Sequence, residues 1–181
     1  MSQNLTRIAI GVISDTHGLL DHVAKSLLAS ADHIIHAGDI GRATILDELA
    51  NLAPLTAVAG NIDGFACGDA REEARVELNG HRIYVTHILD RPGRIRPAVA
   101  KTLQRDPADI IVFGHSHLPH NEQVENVLYF NPASAGPRRF SYPRAIGFIE
   151  IDGTSRKAWH VALDERSNEA LVNHMNQLSR K

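Results

Sequence analysis

Short apolar runs alternate with helical segments over the first 60 residues, and this alternation is the feature that most restricts the fold. The first run, residues 7–14, is rich in β-branched residues and is typical of a buried parallel strand. Segments with helical spacing, such as DHVAKSLLAS, separate it from the later runs HIIHA and LTAVA. A strand–helix–strand–helix–strand order predicts a parallel α/β sheet.

The second half of the chain has the pattern of antiparallel strands. Two alternating runs flank Asn79-Gly80, a pair typical of a tight hairpin turn. Further hairpins are predicted with turns near Glu125-Asn126 and at Asp152-Gly153, and Pro97 is predicted in the first turn of a helix. The polar tail, residues 164–181, has a helical pattern. Two mixed sheets packed face to face with helices outside would accommodate these elements.

The bulk composition fits a single domain and limits the classes of partner. With 181 residues, 43% of them hydrophobic, the chain predicts one domain over residues 1–181 with a sizeable core. The net charge of -2 predicts no strong general affinity for nucleic acid or membrane surfaces. The sequence shows no membrane-length apolar stretch and no signal-peptide pattern, and its one cysteine, Cys67, suits a reducing cytosol. We therefore predict a cytoplasmic location, and a homo-oligomer stays open.

Side chains that can bind metal follow five of the predicted strands. They are Asp15 and His17 after the first strand, Asp39 after HIIHA, Asn61 after LTAVA, His87 after RIYVT, and His115 and His117 after DIIVF. In open α/β sheets the carboxyl ends of the strands share one edge, where ligands bind. Residues that are far apart in the sequence could therefore converge there.

The local spacing predicts how these residues share a site. In extended backbone, residues i and i+2 point the same way, so Asp15 and His17 are expected to hold one ion together. The same rule predicts that His115 and His117 both face the site. Glycines at these strand ends would permit tight backbone where ligands crowd. Imidazole, carboxylate and amide groups together suit borderline divalent ions such as Mn, Fe, Co or Zn.

Each of these residues alone has an ordinary structural explanation. Asp15 or Asp39 near a strand end is commonly a helix N-cap, and Asn61 alone is most often a turn residue. His87 alone is more often a hydrogen-bonded structural histidine. Because all of them occur in order at strand ends, the joint pattern favours a metal site. His36 could orient a ligand from behind or simply pack.

The ordered set D-x-H, G-D, G-N-x-D, T-H and G-H-x-H resembles the calcineurin-like metallophosphoesterases over roughly residues 7–161. The small size, GNID and NPAS (131–134) are similar to the compact prokaryotic branch called the YfcE family. The resemblance implies a four-layer α/β/β/α sandwich. It also implies two divalent ions per chain, Mn2+ first among them, with Zn2+, Fe2+, Ni2+ or Co2+ as alternatives. The implied ligands are Asp15, His17, Asp39 and His117 for the first ion, and Asn61, His87, His115 and a bridging Asp39 for the second.

The resemblance implies hydrolysis of a small phosphodiester, with a metal-bridging hydroxide as nucleophile and no further catalytic side chain. Two alternatives stay open. One is a phosphomonoesterase, and the other is a non-catalytic or weakly catalytic interaction scaffold, a role that a eukaryotic retromer subunit shows for this fold. Many relatives carry a histidine directly after the asparagine, and it is held to protonate the leaving group. Here Ile62 stands in that position.

Several arginines follow predicted ligands, although no substrate-binding residue is assigned. Arg91, Arg94 and Arg96 come after His87 and could contact a substrate phosphate. A solvated loop is the alternative interpretation of the same residues. Arg138 and Arg139 invite the same pair of interpretations.

Overall fold

The computed structural model of the protein describes residues 7–64, 67, 70–91 and 94–178, without the side chains of residues 91, 94, 175, 177 and 178. The strands are β1 (Ile8–Ile13), β2 (His33–His36), β3 (Leu55–Ala57), β4 (Glu73–Leu78), β5 (His81–Thr86), β6 (Asp90–Arg91), β7 (Arg94–Ile95), β8 (Ile110–Val112), β9 (Pro119–Val124), β10 (Val127–Pro132), β11 (Ala145–Asp152) and β12 (Ser155–Ala162). The helices are α1 (His22–Leu28), α2 (Ala43–Ala50), α3 (Pro97–Arg105) and α4 (Glu165–Leu178).

The described strands form two five-stranded mixed sheets and one short hairpin. In the first sheet the order is β12-β11-β1-β2-β3, with β1, β2 and β3 parallel and β11 and β12 antiparallel. In the second the order is β4-β5-β8-β10-β9, where β5, β8 and β10 are parallel and the two edge strands are antiparallel. The predicted change from parallel strands to hairpins along the chain is therefore confirmed.

Three buried apolar clusters set the order of the layers. Leu28 of α1 packs in the same cluster as Ile34, on the outer side of the first sheet. Ile10 of the first sheet and Val112 of the second belong to a cluster between the two sheets. Val99 of α3 belongs to a third cluster, on the far side of the second sheet. The layers run helix, sheet, sheet, helix, which confirms the predicted four-layer α/β/β/α sandwich with its two mixed sheets face to face.

The hairpin turns agree with the prediction at two places and differ at one. Asn79 and Gly80 join β4 to β5 with φ angles of 51° and 78°, as a tight turn of this type requires. Glu125 lies in the turn between β9 and β10. At the third hairpin Asp152 pairs with Ser155, so the turn lies one residue later than predicted. Gly153 takes the positive φ of 57° there, which leaves Asp152 in the strand.

Helix starts follow from local chemistry. α3 begins at Pro97, whose fixed φ suits the first helical position, as predicted. α1 begins after Asp21, whose carboxylate accepts a hydrogen bond of 2.8 Å from the Val23 amide. Among the helices in the described ranges, none has both the length and the apolar composition needed to cross a bilayer.

Candidate metal centre

The loops after β1, β2 and β8 bring four predicted ligands together. Asp15, His17, Asp39 and His117 each offer one ligand atom, and these atoms all lie within 4.8 Å of one another. His117 Nε2 lies 3.2 Å from His17 Nε2 and 3.2 Å from Asp15 Oδ1. Within the part of the chain that the structure describes, this is the one such group of histidine, cysteine, aspartate or glutamate.

The other three predicted residues continue from this group through Asp39. His87 Nε2 lies 3.3 Å from Asp39 Oδ1, and the rings of His87 and His115 are 5.3 Å apart. His115 Nδ1 lies 3.2 Å from Asn61 Oδ1. Asp39 and His87 are buried, whereas Asn61 and His115 are exposed. All seven predicted residues therefore lie in one connected cluster that is closed at the Asp15 end and open at the Asn61 end.

The backbone of the cluster differs from the extended geometry that we predicted. The φ angles are 54° at Asp15, 47° at His17, 53° at Asp39, 68° at His115 and 58° at His117. These are left-handed conformations, which cost a non-glycine residue roughly 1–3 kcal/mol and concentrate at functional sites. The pairs do meet, but the i, i+2 explanation is wrong, because both residues of each pair have left-handed rather than extended backbone.

Hydrogen bonds between neighbouring loops hold these turns in place. The Asp15 amide donates to the Gly38 carbonyl and the His17 amide donates to the Asp39 carbonyl, both at 2.9 Å. The Gly114 amide donates to the His87 carbonyl at 3.0 Å. Each of these bonds ties one ligand-bearing loop to the next, so the strain is maintained by the assembled edge of the sheets.

Two glycines let the loops approach one another closely. A Cβ on Gly60 would overlap the carboxylate and amide of Asp39. A Cβ on Gly114 would overlap the Ser14 hydroxyl and would lie 2.9 Å from Asp15 Oδ2. Because real Cβ atoms do not approach other atoms this closely, a larger residue would displace a predicted ligand. The prediction that glycines permit tight backbone at the strand ends is confirmed.

Two atoms of the predicted ligands are buried without a hydrogen-bond partner: Asp15 Oδ1 and His87 Nε2. His87 Nδ1 lies 2.7 Å from the Ala37 carbonyl, which can only accept, so Nδ1 carries the proton. The neutral ring therefore presents a lone pair at Nε2, and this lone pair faces the Asp39 carboxylate. Two acceptors meet in this way when a cation lies between them or the ring is protonated. The arrangement fits a divalent metal, whose histidine ligands usually donate their other N–H to a carbonyl.

The electrostatics also favour a cation. Burial alone would raise the pKa of the Asp39 carboxyl, but the nearby His87 ring, when it is protonated, and the Ile62 amide outweigh burial and hold the pKa at about 2. Burial lowers the pKa of His87, but Asp39 and Asp15 outweigh burial and raise it. The Asp39 carboxylate is thus ionised at neutral pH, and its surroundings attract positive charge, from protons or from a metal.

Two supporting residues were missed by the sequence analysis. The Ser14 hydroxyl donates to Asp15 Oδ2 at 2.6 Å. The buried Asp63 carboxylate accepts from the amides of Ile40, Gly41 and Gly60 at 2.8–2.9 Å, and so joins the loops that carry Asp39 and Asn61. The spacing G-N-x-D places Asp63 near the site, but nothing in the sequence distinguishes Ser14 from any other serine at a strand end.

The hydrogen bonds of His36 decide between the two predicted roles, orienting a ligand or simple packing. Gly38 donates its amide to His36 Nδ1 at 3.2 Å, so the ring proton lies on Nε2. Nε2 then donates to Thr16 Oγ1 at 3.0 Å, and Thr16 donates to the Ile40 carbonyl at 2.9 Å. His36 therefore links the loops that carry Asp15 and Asp39, which is an orienting role rather than simple packing.

The NPAS segment braces the loop after β8, near the site, as predicted. Asn131 Nδ2 donates to the Gly114 carbonyl at 2.8 Å, and the Ser134 hydroxyl donates to the Asp15 carbonyl at 3.0 Å. These bonds fix the backbone on both sides of the buried group of ligands. NPAS is thus a structural turn that supports two ligand-bearing loops.

A cavity of about 510 Å³ opens beside the exposed end of the cluster. Asn61, His87 and Arg96 are among the residues that line it. Arg96 therefore lies where an arginine could meet a substrate, as the sequence suggested. The side chains of Arg91 and Arg94 lie outside the described residues, so the prediction for them stays a prediction.

Comparison with known proteins agrees with this geometry. Residues 8–154 match the calcineurin-like phosphoesterase superfamily domain. A phosphodiesterase of Methanocaldococcus jannaschii is 29% identical over 167 residues, covering 83% of this chain and 95% of that protein. The structure of YfcE, a phosphoesterase from E. coli, has a TM-score of 0.59 at 23% identity and covers 87% of this chain and 100% of that one. Vps29 of Chaetomium thermophilum has a TM-score of 0.73 at 18% identity, over 87% of this chain and 92% of that one. The chain therefore belongs to the calcineurin-like phosphoesterase superfamily and resembles its compact YfcE branch, as the sequence motifs predicted.

Proposed function

We propose that this protein is a metal-dependent phosphodiesterase that acts as one domain, residues 1–181, with two divalent ions. The first ion would be held by Asp15, His17, Asp39 and His117, and the second by Asp39, Asn61, His87 and His115. The observation that carries the proposal is that Asp15 Oδ1 and His87 Nε2 are buried without a partner inside this cluster. An unpaired buried polar atom costs roughly 1–3 kcal/mol, and each of the two proposed ions would satisfy one of these atoms.

The position of Asp39 supports its role as the bridge between the two ions. Its Oδ2 lies 3.8 Å from His17 Nε2, and its Oδ1 lies 3.3 Å from His87 Nε2. The two carboxylate oxygens therefore face histidines of the two different ligand sets. A pKa of about 2 keeps both oxygens available as ligands at any pH at which the protein would work.

The chain's own residues orient the proposed ligands and leave one side of the cluster exposed. When bound, two such ions would polarise the phosphoryl group and activate a shared water as the nucleophile. Ser14 occupies Asp15 Oδ2, so Oδ1 is left for an ion. The Ala37 carbonyl fixes the tautomer of His87. Because Asn61 and His115 are exposed, substrate would approach from their side.

The leaving group would depart without a side-chain acid at the usual position. Ile62 is 49% exposed and follows Asn61, where many relatives carry histidine. His120, the alternative donor, has its Nε2 3.0 Å from the Glu122 carboxylate and its ring against Phe113. We therefore expect good leaving groups, such as nitrophenolate, to be favoured over alkoxides.

The ligand set suits borderline divalent ions, and we propose Mn2+ as the native metal. Zn2+, Fe2+, Ni2+ and Co2+ are the competing candidates because imidazole binds each of them well. Carboxylate and amide oxygens make up three of the seven proposed ligand side chains, and oxygen ligands favour manganese among these ions.

A protein-binding scaffold is the second candidate, because Vps29 shares the fold. A likeness at 18% identity shows the fold alone. The buried ligands favour the enzyme, since burying carboxylate and imidazole groups without a partner is costly and serves no purpose in a scaffold.

The test is reconstitution of metal-stripped protein with one ion at a time. Elemental analysis should find two ions per chain, and hydrolysis of a nitrophenyl phosphodiester should require metal. The matching monoester, assayed in parallel, decides between diesterase and monoesterase. Activity that survives complete chelation would contradict the mechanism, whereas two bound ions without hydrolysis of either ester would favour the scaffold.

A further inference from the structure

The cavity beside the exposed end of the cluster offers more space than a phosphate group needs. Its volume of about 510 Å³ lies within the range of small-molecule sites, roughly 300–1,000 Å³. Asn61 and His87 line it, so a phosphate held by the proposed ions would occupy their end of the cavity. The remaining lining includes the apolar residues Ala98 and Val99 and the charged residues Glu72, Glu73 and Arg96. The cavity therefore has room for one ester arm beyond the phosphate.

Backbone pairing places Glu72 beside two loops that carry predicted ligands. In the antiparallel pairing of β4 with β5, Glu73 lies opposite Thr86, so Glu72 lies alongside His87. The residue before Glu72 accepts a hydrogen bond of 2.8 Å from the Ala59 amide, which ties the start of β4 to the loop after β3. The position of Glu72 is therefore set by the same sheet edge that carries the predicted ligands.

Arg96 directly precedes α3 and is held near the loop that begins at His87. Its amide donates to the Leu89 carbonyl at 3.3 Å. Arg138, which the sequence could not distinguish from it as a phosphate contact, donates instead to the Asp164 carboxylate at 2.6 Å and is engaged within the protein. Of these two arginines, Arg96 is thus the one that lines the cavity.

One of the three charged side chains in the cavity is already bound within the protein. Tyr84 donates its hydroxyl to the Glu73 carboxylate at 2.5 Å. Glu72 and Arg96 are exposed, and among the described residues neither has an oppositely charged group within 4.0 Å. One carboxylate and one guanidinium are therefore available to a ligand.

These two groups bind different parts of a phosphate ester. Arginine suits phosphate because its N–H groups match two oxygens. A carboxylate accepts hydrogen bonds from hydroxyl or ammonium groups, and acidic side chains accept from ribose hydroxyls in dinucleotide sites. Arg96 and the two proposed ions would repel an ammonium group, so hydroxyls are the favoured partners of Glu72.

We propose that the cavity binds an ester arm with a vicinal diol, in which Glu72 accepts hydrogen bonds from the two hydroxyls and Arg96 contacts a phosphate oxygen. This inference rests on the proposed function and narrows its substrates to phosphodiesters of ribose or glycerol. Glu72 determines the specificity for the arm, whereas Arg96 contributes to the affinity for every phosphate ester.

The experiment uses calorimetry to measure the binding of two matched pairs of monoesters to the metal-loaded protein. One pair is uridine 5′-monophosphate and 2′-deoxyuridine 5′-monophosphate, and the other is glycerol 1-phosphate and propyl phosphate. In at least one pair the diol should bind about tenfold more tightly, because hydrogen bonds to a charged group are strong. Glu72→Ala should reduce this preference to within about twofold, and Glu72→Gln should retain part of it. Arg96→Ala should weaken binding of all four ligands about tenfold, with partial rescue by Arg96→Lys. Glu77→Gln on β4 and Arg105→Ala on α3 are the matched controls.

The pattern across the ligands decides the result. A diol preference confined to the uridine pair identifies a ribose arm, one confined to the glycerol pair identifies a glycerol arm, and a preference in both supports a general diol site. No preference in either pair, or a preference that survives Glu72→Ala, would overturn the inference. It would also be overturned if Glu72→Ala weakened the binding of phosphoethanolamine more than that of the diols, because the arm would then be an ammonium group.

The proposed function is tested apart from this, by hydrolysis of ethyl nitrophenyl phosphate by the metal-loaded, unmodified protein. If that diester is hydrolysed and no diol preference is found, the inference alone fails. If it is not hydrolysed, the proposed function fails whatever the binding pairs show.

Discussion

Replacing Asp39 with asparagine should weaken both metal positions at once. Asp39→Asn preserves the size and shape of the side chain but removes the charge that faces His17 and His87. Because Asp39 is the residue shared by both proposed ligand sets, no other single substitution of the same size should affect both ions. The prediction therefore tests the bridge and not merely the presence of metal.

The expected loss of stability in the metal-free variant follows from the pKa of the Asp39 carboxyl. The gap between its ordinary value of 3.8 and about 2 corresponds to about 2 kcal/mol of interaction with the ionised form. The metal-free variant should therefore be less stable by about 2 kcal/mol at about pH 6, which lowers Tm by about 4–8 °C in a domain of this size. Since the pKa is depressed, this stabilisation is present above pH 3.8 and is lost as the pH falls towards 2. The pairing of Asp39 with His87 also raises the pKa of His87, so the difference should be constant between about pH 5 and 6.5 and should shrink as the pH rises through the raised pKa of His87.

Bound metal adds a second difference in the free energy of unfolding, of similar size to the first. Removing a group that merely supports a ligand typically costs 10–100-fold in metal affinity, so loss of a ligand should cost at least about 100-fold. At a metal concentration of about 100 times the Kd of the unmodified protein, binding contributes about 2.7 kcal/mol of stability. The same concentration should contribute only about 0.4 kcal/mol to the variant.

The assay is thermal unfolding with and without Mn2+, combined with elemental analysis of the loaded protein. Asp47→Asn, an exposed aspartate of α2, and His22→Ala, whose side chain is 95% exposed, are the controls and should keep two ions per chain. If Asp39→Asn also retains two ions and the full metal-induced rise in Tm, Asp39 does not bridge and the ligand assignment is wrong.

Three further predictions follow from single residues. Gly114→Ala forces a Cβ against Ser14 and Asp15. The free energy of unfolding should fall by about 1–3 kcal/mol, and metal content and activity should fall with it. A normal metal content would contradict the argument that this site has no room for a side chain. Burial lowers the pKa of His160 to about 4. The free energy of unfolding, measured with denaturant, should therefore rise by up to roughly 3 kcal/mol between pH 4 and 6.5. The variant His160→Gln should not show this rise. The rate of hydrolysis should depend steeply on the pKa of the leaving group, because Ile62 cannot act as a general acid and general acid catalysis is worth about 10²–10⁴-fold. Ile62→His should flatten this dependence. A flat dependence in the unmodified protein would reveal another acid.

Local patterns in the sequence were sufficient for the elements of this fold but not for the way they pack. The run containing Ile10 and the Asn79-Gly80 pair each define their element through neighbours in the chain, so periodicity and turn chemistry predict them. Both faces of β2 are buried, with Ile34 packed towards the helices and Ile35 towards the second sheet. A continuous apolar run predicts that both faces of the strand are buried. It does not predict whether helices or a second sheet bury each face. The pattern indicated only that two sheets with helices outside would accommodate the elements, and the named four-layer order came from the family resemblance.

For the candidate site, too, the sequence predicts which residues take part but not the backbone conformation that they adopt. Its seven residues could be selected because each follows a strand, but the extended backbone assumed for Asp15 and His17 was wrong. Aspartate and histidine enter the left-handed region more readily than most residues, yet rarely enough that no local rule predicts it. What selects that conformation here is the carbonyl of Gly38, which accepts from Asp15, and the carbonyl of Asp39, which accepts from His17. Those partners lie more than 20 residues away and exist only once β1 and β2 have paired. The geometry of the predicted ligands is therefore a consequence of the assembled sheet edge. A change that keeps every predicted ligand but separates these two loops should abolish the proposed metal binding as completely as the loss of a ligand.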